Sequence, residues 1–146
     1  MSNKLQATGE DYPEAALKHC EDARHLISGN RTDGAAYLAG YAVECALKTL
    51  VQVGQGHNRM VRGHNLNSLS KDALDLAAQP TNKTAKYLPN PSLANLPYAN
   101  PPGGWKETLR YYPVGTIPAP TARQWVEEAE RLYLEIIGEL KKDGEI

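Results

Sequence analysis

The densest cluster of side chains able to act on a phosphate lies between residues 56 and 69. Its charged or titratable members are His57, Arg59, Arg62 and His64. Arginine forms forked hydrogen bonds with phosphate, and histidine can carry a proton at neutral pH. Because Arg59 and His64 are separated by only four residues, they form a candidate catalytic pair of phosphate-orienting arginine and acid–base histidine. The alternative is a solvated loop in which His64 fixes the start of the next helix.

A second group of polar residues follows one stripe of an otherwise apolar helix. Tyr37, Tyr41, Glu44 and Lys48 recur at i, i+4, i+7 and i+11. Burying a carboxylate is costly unless it is paired, so Glu44 needs a partner. One interpretation is a Glu44–Lys48 pair on the one solvent-exposed face of the helix. The other is that Glu44 orients a neighbouring arginine or histidine, or contributes to a dimer interface.

Aromatic and basic residues are mixed in the segment from Trp105 to Tyr112. Trp105 and Arg110 are its candidate ligand-binding residues, because aromatic rings and arginine side chains stack on nucleobases. The competing interpretation is that these residues only anchor a loop to the core.

The formal net charge of −1 conceals an uneven distribution along the chain. Residues 1–44 carry seven acids and four Lys or Arg, residues 45–106 carry two acids and seven Lys or Arg, and residues 107–146 carry eight acids and five Lys or Arg. The middle of the chain is therefore the candidate anion-facing part of the protein. The alternative is that folding intermixes these charges.

Several classes of site have no signature in the sequence. It contains no complete glycine-rich phosphate loop, no Cys/His cluster with zinc spacing, no paired acidic nuclease motif and no serine nucleophile elbow. We therefore expect no metal and no cofactor. We also expect a cytoplasmic protein without a membrane span, since there is neither an apolar run of about 18 residues nor a signal-peptide stretch. The two cysteines, Cys20 and Cys45, fit buried free thiols in a reducing compartment.

The first two helices bring most of these groups into the core. Asp11 is a capping residue for a helix that ends at residues 28–30. After a short turn, the second helix runs from Thr32 to Val53 and stops at Gly54. This helix is apolar on nearly all sides, which is typical of a helix surrounded by others, and we expect it to be the central element of the core.

Two further helices complete the predicted bundle. Asn65 can cap a third helix from Leu66 to Ala78, and the last helix runs from about Pro120 or Thr121 to Lys142. The inner stripe predicted for the last helix consists of Trp125, Ala129, Leu132, Ile136 and Leu140. Residues 1–10 are expected to be a disordered start, residues 11–142 the helical domain and residues 143–146 a tail.

Residues 79–118 form an unusual connection, with eight of the ten prolines. A structureless stretch of roughly 40 residues is improbable inside a compact domain, so we predict short helical turns near Ser92–Leu96 and Trp105–Arg110. Tyrosine and tryptophan residues would pack this connection over a bundle end or cleft: Tyr87, Tyr98, Trp105, Tyr111 and Tyr112. Disorder until a partner binds is the alternative. The predicted fold class is all-α, a four- to five-helix up-and-down bundle with a long Pro-rich crossover before the last helix.

Three segments of the chain, residues 12–17, 36–48 and 63–69, resemble the HEPN superfamily (higher eukaryotes and prokaryotes nucleotide-binding domain). The pattern E-x-x-L-K beginning at Glu44, followed by H-N-L-x-x-L beginning at His64, carries most of the resemblance. Trp105, Arg110 and the closing amphipathic helix also fit, so that the likeness covers most of residues 12–140.

The resemblance implies a helical bundle that is often a homodimer. Many members of the superfamily are metal-independent ribonucleases or toxins paired with a nucleotidyltransferase-type antitoxin, and their active site uses an arginine and a histidine late in the chain. No histidine follows His64 here, so Arg110 and Arg123 lack such a partner. This departure argues against catalysis.

The leading hypothesis is a non-catalytic or divergent HEPN domain, dimeric, that binds a nucleotide, RNA or a protein partner. The first alternative is a metal-independent HEPN endoribonuclease using Arg59 and His64. The second is a structural subunit of a toxin–antitoxin or defence complex. The candidate binding residues are Tyr37, Tyr41, Glu44, Lys48, His57, Arg59, Arg62, His64, Trp105 and Arg110.

Overall fold

The computed structural model describes residues 9–56, 60–89 and 104–146. Every regular element within these ranges is helical, which confirms the all-α prediction. The elements are α1 (Tyr12–Ser28), α2 (Thr32–Gly54), α3 (Leu66–Ala77), 3-10 turns at Lys83–Tyr87 and Glu107–Tyr111, α4 (Ala119–Leu132), a π-helical stretch (Tyr133–Gly138) and α5 (Glu139–Lys142). His57, Arg59, Tyr98 and the turn predicted near Ser92–Leu96 lie outside the described residues.

The first helix begins as its sequence predicts. The Asp11 side chain accepts a hydrogen bond from the Glu14 backbone N–H at 3.2 Å, and proline follows in the first turn. The helix ends at Ser28, and Asn30 adopts a left-handed φ of 59° to reverse the chain. The reversal packs α1 along α2 over most of their lengths.

Helix α2 is the central element of the core, as expected. It contacts α1, α3, α4 and the π-helical stretch, and every residue from 42 to 53 is buried. One expectation for this helix is wrong. The stripe through Glu44 and Lys48 is not a solvent-exposed face, since these residues are only 4% and 7% exposed.

The remaining long helices close the bundle around α2. Asn65 caps α3 by accepting a hydrogen bond from the Ser68 backbone N–H at 3.1 Å. Segments α4, π and α5 follow one another with helical backbone angles at each junction. The predicted inner stripe of this last helix is buried throughout, at Trp125, Ala129, Leu132, Ile136 and Leu140.

The described parts of the proline-rich connection are only partly packed down. Tyr87 and Trp105 are buried, as predicted, and the Tyr87 hydroxyl donates a hydrogen bond to Asp143 at 2.7 Å. Tyr111 and Tyr112, which were expected to pack against the bundle, are instead 73% and 46% exposed. Among the described residues, no helix combines the length and the apolar character needed to cross a bilayer.

Candidate functional site

A polar contact joins the loop before α3 to the centre of α2. His64 Nδ1 lies 2.8 Å from Glu44 Oε1. A carboxylate can only accept, so the proton of this hydrogen bond sits on Nδ1 of the imidazole. The Glu44 side chain is 5% exposed and the His64 side chain 49% exposed. The imidazole therefore has a fixed orientation and keeps Nε2 free of hydrogen bonds to the described residues.

Lys48 neutralises the same carboxylate from the next turn of α2. Its Nζ lies 3.2 Å from Glu44 Oε2 and 5.5 Å from the centre of the Tyr12 ring. The Glu44–Lys48 pair therefore forms, although on a buried face, and the other oxygen of the carboxylate orients a histidine, as the second interpretation held. A buried pair of this kind satisfies a carboxylate that would be costly to bury alone.

The loop that carries His64 is tied to the start of α1. The Tyr12 hydroxyl donates a hydrogen bond to the Val61 carbonyl at 3.1 Å and accepts one from the Val61 N–H at 3.4 Å. With Asn65 capping α3, the backbone is held on both sides of His64. Arg62 is exposed between these anchors and makes no ion pair with the described residues. The sequence correctly placed His64 next to a helix start, and the structure adds the reason for its orientation.

Four aromatic or imidazole rings surround Tyr41, and we call these five residues the Tyr41 cluster. The ring of Tyr41 meets those of Tyr37 and Trp105 at 5.0 Å, that of His19 at 5.8 Å and that of His64 at 6.2 Å. Three of these pairs are edge-to-face, the arrangement that the ring quadrupole favours. The cluster joins α1, α2, the His64 loop and the Trp105 segment in one surface.

The indole of Trp105 lies directly on the backbone of α2. Its Nε1 donates a hydrogen bond to the Tyr37 carbonyl at 3.0 Å, and the residue is 6% exposed. Trp105 therefore anchors its segment to the backbone of α2, and its ring is almost completely covered. Gly40 provides the space, because a Cβ there would lie 2.0 Å from Trp105 Nε1.

Arg110 reaches the outer edge of the Tyr41 cluster. Its Nη1 donates a long hydrogen bond to the Tyr37 hydroxyl at 3.5 Å, and Tyr37 in turn donates to the Tyr41 hydroxyl at 3.1 Å. Burial raises the pKa of Tyr41 far above its usual range, so the phenol stays neutral. Arg110 is the exposed cation of this chain of contacts.

His19 belongs to the cluster although the sequence patterns did not select it. Burial lowers the pKa of this histidine, with a smaller contribution from Lys18, so the imidazole is neutral at pH 7. Its Nδ1 is buried and has no hydrogen-bond partner among the described residues. The only sequence signal was its position beside the apolar stripe of α1, and Tyr41 and Glu44 approach it only through the packing of α1 on α2.

Among the described residues, most basic side chains in the middle of the chain are paired with carboxylates. Four of its seven basic side chains pair with carboxylates: Lys48 with Glu44, Lys71 with Asp75, Lys83 with Glu145 and Lys86 with Asp143. Two of these partners come from the acidic C-terminal part, so folding intermixes the charges there. Of the described cations, Lys18, Arg62 and Lys106 lie within two residues of His19, His64 and Trp105, and Arg110 contacts Tyr37.

The described residues offer no evident metal site, and a groove lies on another side of α1. No group of three His, Cys, Asp or Glu side chains in residues 9–56, 60–89 and 104–146 is placed to hold a metal ion. A groove of about 660 Å³ runs between α1 and the C-terminal helix, past Arg24 and Leu134. Cys20 and Cys45 are buried free thiols, as expected, and burial raises the pKa of each to about 12.

Comparison with family models, curated proteins and solved structures returned no match for this chain. The HEPN resemblance therefore stays a prediction that rests on the residues themselves.

Proposed function

We propose that this chain is a divergent HEPN-type domain that binds a nucleotide or RNA at the Tyr41 cluster, where His64 contacts a phosphate. The contact between Glu44 and His64 supports the proposal. Glutamate and lysine from the first HEPN-like pattern and histidine from the second come together at 2.8 and 3.2 Å. A half-exposed imidazole, oriented by a buried carboxylate, can donate from Nε2–H to a phosphate oxygen when the ring is in its imidazolium form, in which both nitrogens carry protons.

The charges around His64 favour an anion. Arg62 is exposed two residues before it, and Arg110 is exposed at the far edge of the Tyr41 cluster. Glu44, the acid that faces His64, is already paired with Lys48 and buried, so its charge is largely compensated. Forked hydrogen bonds from arginine would complement a phosphate held by His64.

A second candidate function is metal-independent RNA cleavage with His64 as the general acid or base. The observation that favours it is the carboxylate–imidazole pair, which fixes the tautomer and leaves Nε2 available for proton transfer. Arg59, the arginine paired with His64 in this hypothesis, lies outside the described residues. The resemblance also carries the proposals of a homodimer and of a nucleotidyltransferase-type partner, which light scattering and co-purification would test.

Binding of AMP and of a single-stranded RNA, measured in EDTA, tests the leading proposal. We expect saturable binding that weakens with rising salt and falls at least about tenfold in His64→Ala. Arg110→Gln should weaken it as well, whereas Arg123→Gln, a matched loss of one exposed arginine on α4, should leave it unchanged. An affinity that changes neither with salt concentration nor in His64→Ala would contradict the proposal.

The same samples separate the two candidate functions. RNA incubated with the protein in EDTA should remain intact if the domain only binds. Cleavage that persists in EDTA and disappears in His64→Ala would replace the binding hypothesis by the ribonuclease hypothesis. Cleavage that persists in His64→Ala would exclude the Glu44–His64 pair as its source.

A further inference from the structure

Three large apolar side chains lie exposed in the short segment that follows Arg110, which itself contacts Tyr37 of the Tyr41 cluster. Tyr111 is 73% exposed, Tyr112 46% and Val114 97%. Burying side chains of this size is favourable, and a folded domain normally leaves them singly at its surface. The grouping of the two tyrosines directly after Arg110 marks their surface as a candidate contact site.

Each of the two tyrosine rings carries a cation on its face. The Arg110 guanidinium carbon lies 4.9 Å from the centre of the Tyr111 ring, and Lys106 Nζ lies 4.9 Å from the centre of the Tyr112 ring. A flat ring beside a positive charge is the combination that binds single-stranded nucleic acid, since bases stack on the rings while the cations hold the backbone phosphates. We call these four residues the tyrosine platform.

The backbone that presents the platform is fixed rather than loose. The Tyr112 N–H donates to the Leu109 carbonyl at 3.0 Å, and Trp105 is buried at the other end of the turn. Beyond the platform, Asp33 accepts hydrogen bonds from the N–H groups of Gly115 and Ile117 at 2.8 and 2.9 Å. A preorganised aromatic surface loses little entropy on binding.

We infer that the tyrosine platform stacks the bases of a single-stranded nucleic acid whose phosphate is held at His64. This inference rests on the proposed function and narrows the proposed ligand from a nucleotide or RNA to a single-stranded nucleic acid. Arg110 links the two parts, because it contacts Tyr37 of the Tyr41 cluster and lies over Tyr111. One strand can therefore run from His64 past Arg110 to the exposed rings.

The test compares binding of an oligoadenylate of about 12 nucleotides with binding of AMP, in EDTA, by fluorescence anisotropy and competition. We expect Tyr111→Leu and Tyr112→Leu each to weaken binding of the oligonucleotide by about tenfold, since leucine keeps the apolar bulk and removes the stacking ring. Binding of AMP should not change. Tyr111→Phe should retain full affinity, because the ring and not the hydroxyl makes the stack.

Val114→Ala is the matched control for a general apolar contact. This substitution removes exposed apolar surface three residues after Tyr111 and should leave oligonucleotide binding unchanged. If Val114→Ala weakens binding as strongly as the leucine variants do, stacking is not the interaction and the inference fails. A base-paired hairpin that binds as tightly as the single strand overturns the inference, because its bases are not free to stack on the rings.

The outcomes for the two proposals are distinguishable. Oligonucleotide binding that needs His64 but not Tyr111 or Tyr112 overturns the platform and leaves the proposed function standing. Binding that needs the tyrosines but not His64 upholds the platform and overturns the role of His64. Absence of binding by both AMP and the strand overturns both proposals.

Discussion

Trp105 lies against the bare backbone of Gly40, with its Nε1 donating a hydrogen bond to the Tyr37 carbonyl at 3.0 Å. A Cβ at position 40 would meet three atoms of the indole between 2.0 and 2.2 Å. This single close approach fixes the segment that carries Arg110 and the tyrosine platform against α2. The absence of a side chain at Gly40 is therefore a requirement of the candidate site.

Gly40→Ala should displace Trp105 and destabilise the domain. Forcing an additional methyl group into a closely packed contact costs about 1–3 kcal/mol, and the indole would also lose its hydrogen bond to Tyr37. Urea unfolding measures the loss of stability, and a red shift of tryptophan emission reports solvent entering around the indole.

Gly138→Ala is the control for the effect of helix propensity. Position 138 has helical backbone angles, and the nearest atom to a Cβ there is 3.9 Å away. This substitution should stabilise the protein by up to about 1 kcal/mol. Equal effects of the two substitutions would show that the Gly40–Trp105 contact is not tight.

The pair formed by Glu44 and Lys48 makes a second stability prediction. Glu44→Gln leaves the Lys48 ammonium buried without a countercharge, and such a loss costs roughly 3 kcal/mol. It also removes the negative charge that orients His64, so binding of AMP should weaken together with stability. Chemical unfolding and AMP titration on the same variant measure the two effects.

The double variant Glu44→Gln/Lys48→Met separates these effects. Removing the isolated ammonium should recover much of the lost stability, whereas AMP binding should remain weak because His64 is still without its carboxylate. Lys71→Ala, which breaks the exposed pair with Asp75 on α3, should leave stability and binding unchanged. Recovery of AMP binding in the double variant would argue against an orienting role for Glu44.

The sequence was sufficient to predict those features of the fold that depend on residues close together along the chain. Asp11 and Asn65 cap their helices through hydrogen bonds three residues away, and the burial of α2 follows from its composition. The contact between Glu44 and His64 spans 20 positions and needs α2 and the loop to meet, so the sequence left the partner open between Lys48 and a histidine or arginine.

The aromatic residues show why the other contacts of the candidate site could not be predicted from the sequence. Trp105 and Tyr111 lie in the same short segment, yet one is buried and the other exposed, because only Trp105 finds the space above Gly40. His19 approaches Tyr41 only once α1 has packed on α2. Neither outcome is encoded in a local pattern; both depend on which surfaces the helices bring together.

The two cysteines should be unreactive in the folded protein. Burial raises the pKa of Cys20 and of Cys45 to about 12, so at pH 8 only about one thiol in 10⁴ is ionised, and both residues are buried. A colorimetric thiol reagent should titrate none of them in the native protein and both in denaturant. Rapid labelling of the native protein would show that α1 opens from α2.

Asp33 gives a prediction about pH, because it holds the segment after the tyrosine platform. Hydrogen bonds from the Gly115 N–H and then from the Ile117 N–H hold the pKa of Asp33 below its ordinary value of 3.8. A carboxyl with a lowered pKa in the folded state stabilises the fold fully above its unfolded pKa, and this stabilisation is lost as the pH falls through the folded pKa. Asp33→Asn should therefore be less stable than the unsubstituted protein at neutral pH, and the difference should disappear in acid.

Thermal unfolding of both proteins from neutral to acid pH measures the Asp33 effect. Asp22→Asn, an exposed position on α1, serves as the control for loss of one negative charge and should show no comparable pH-dependent difference. Asp33→Asn should also loosen the backbone at Gly115, because a neutral amide oxygen accepts a hydrogen bond more weakly than a carboxylate does. Faster hydrogen exchange of the Gly115 amide would report this loosening. A stability difference that is independent of pH would mean that Asp33 acts through packing rather than through its charge.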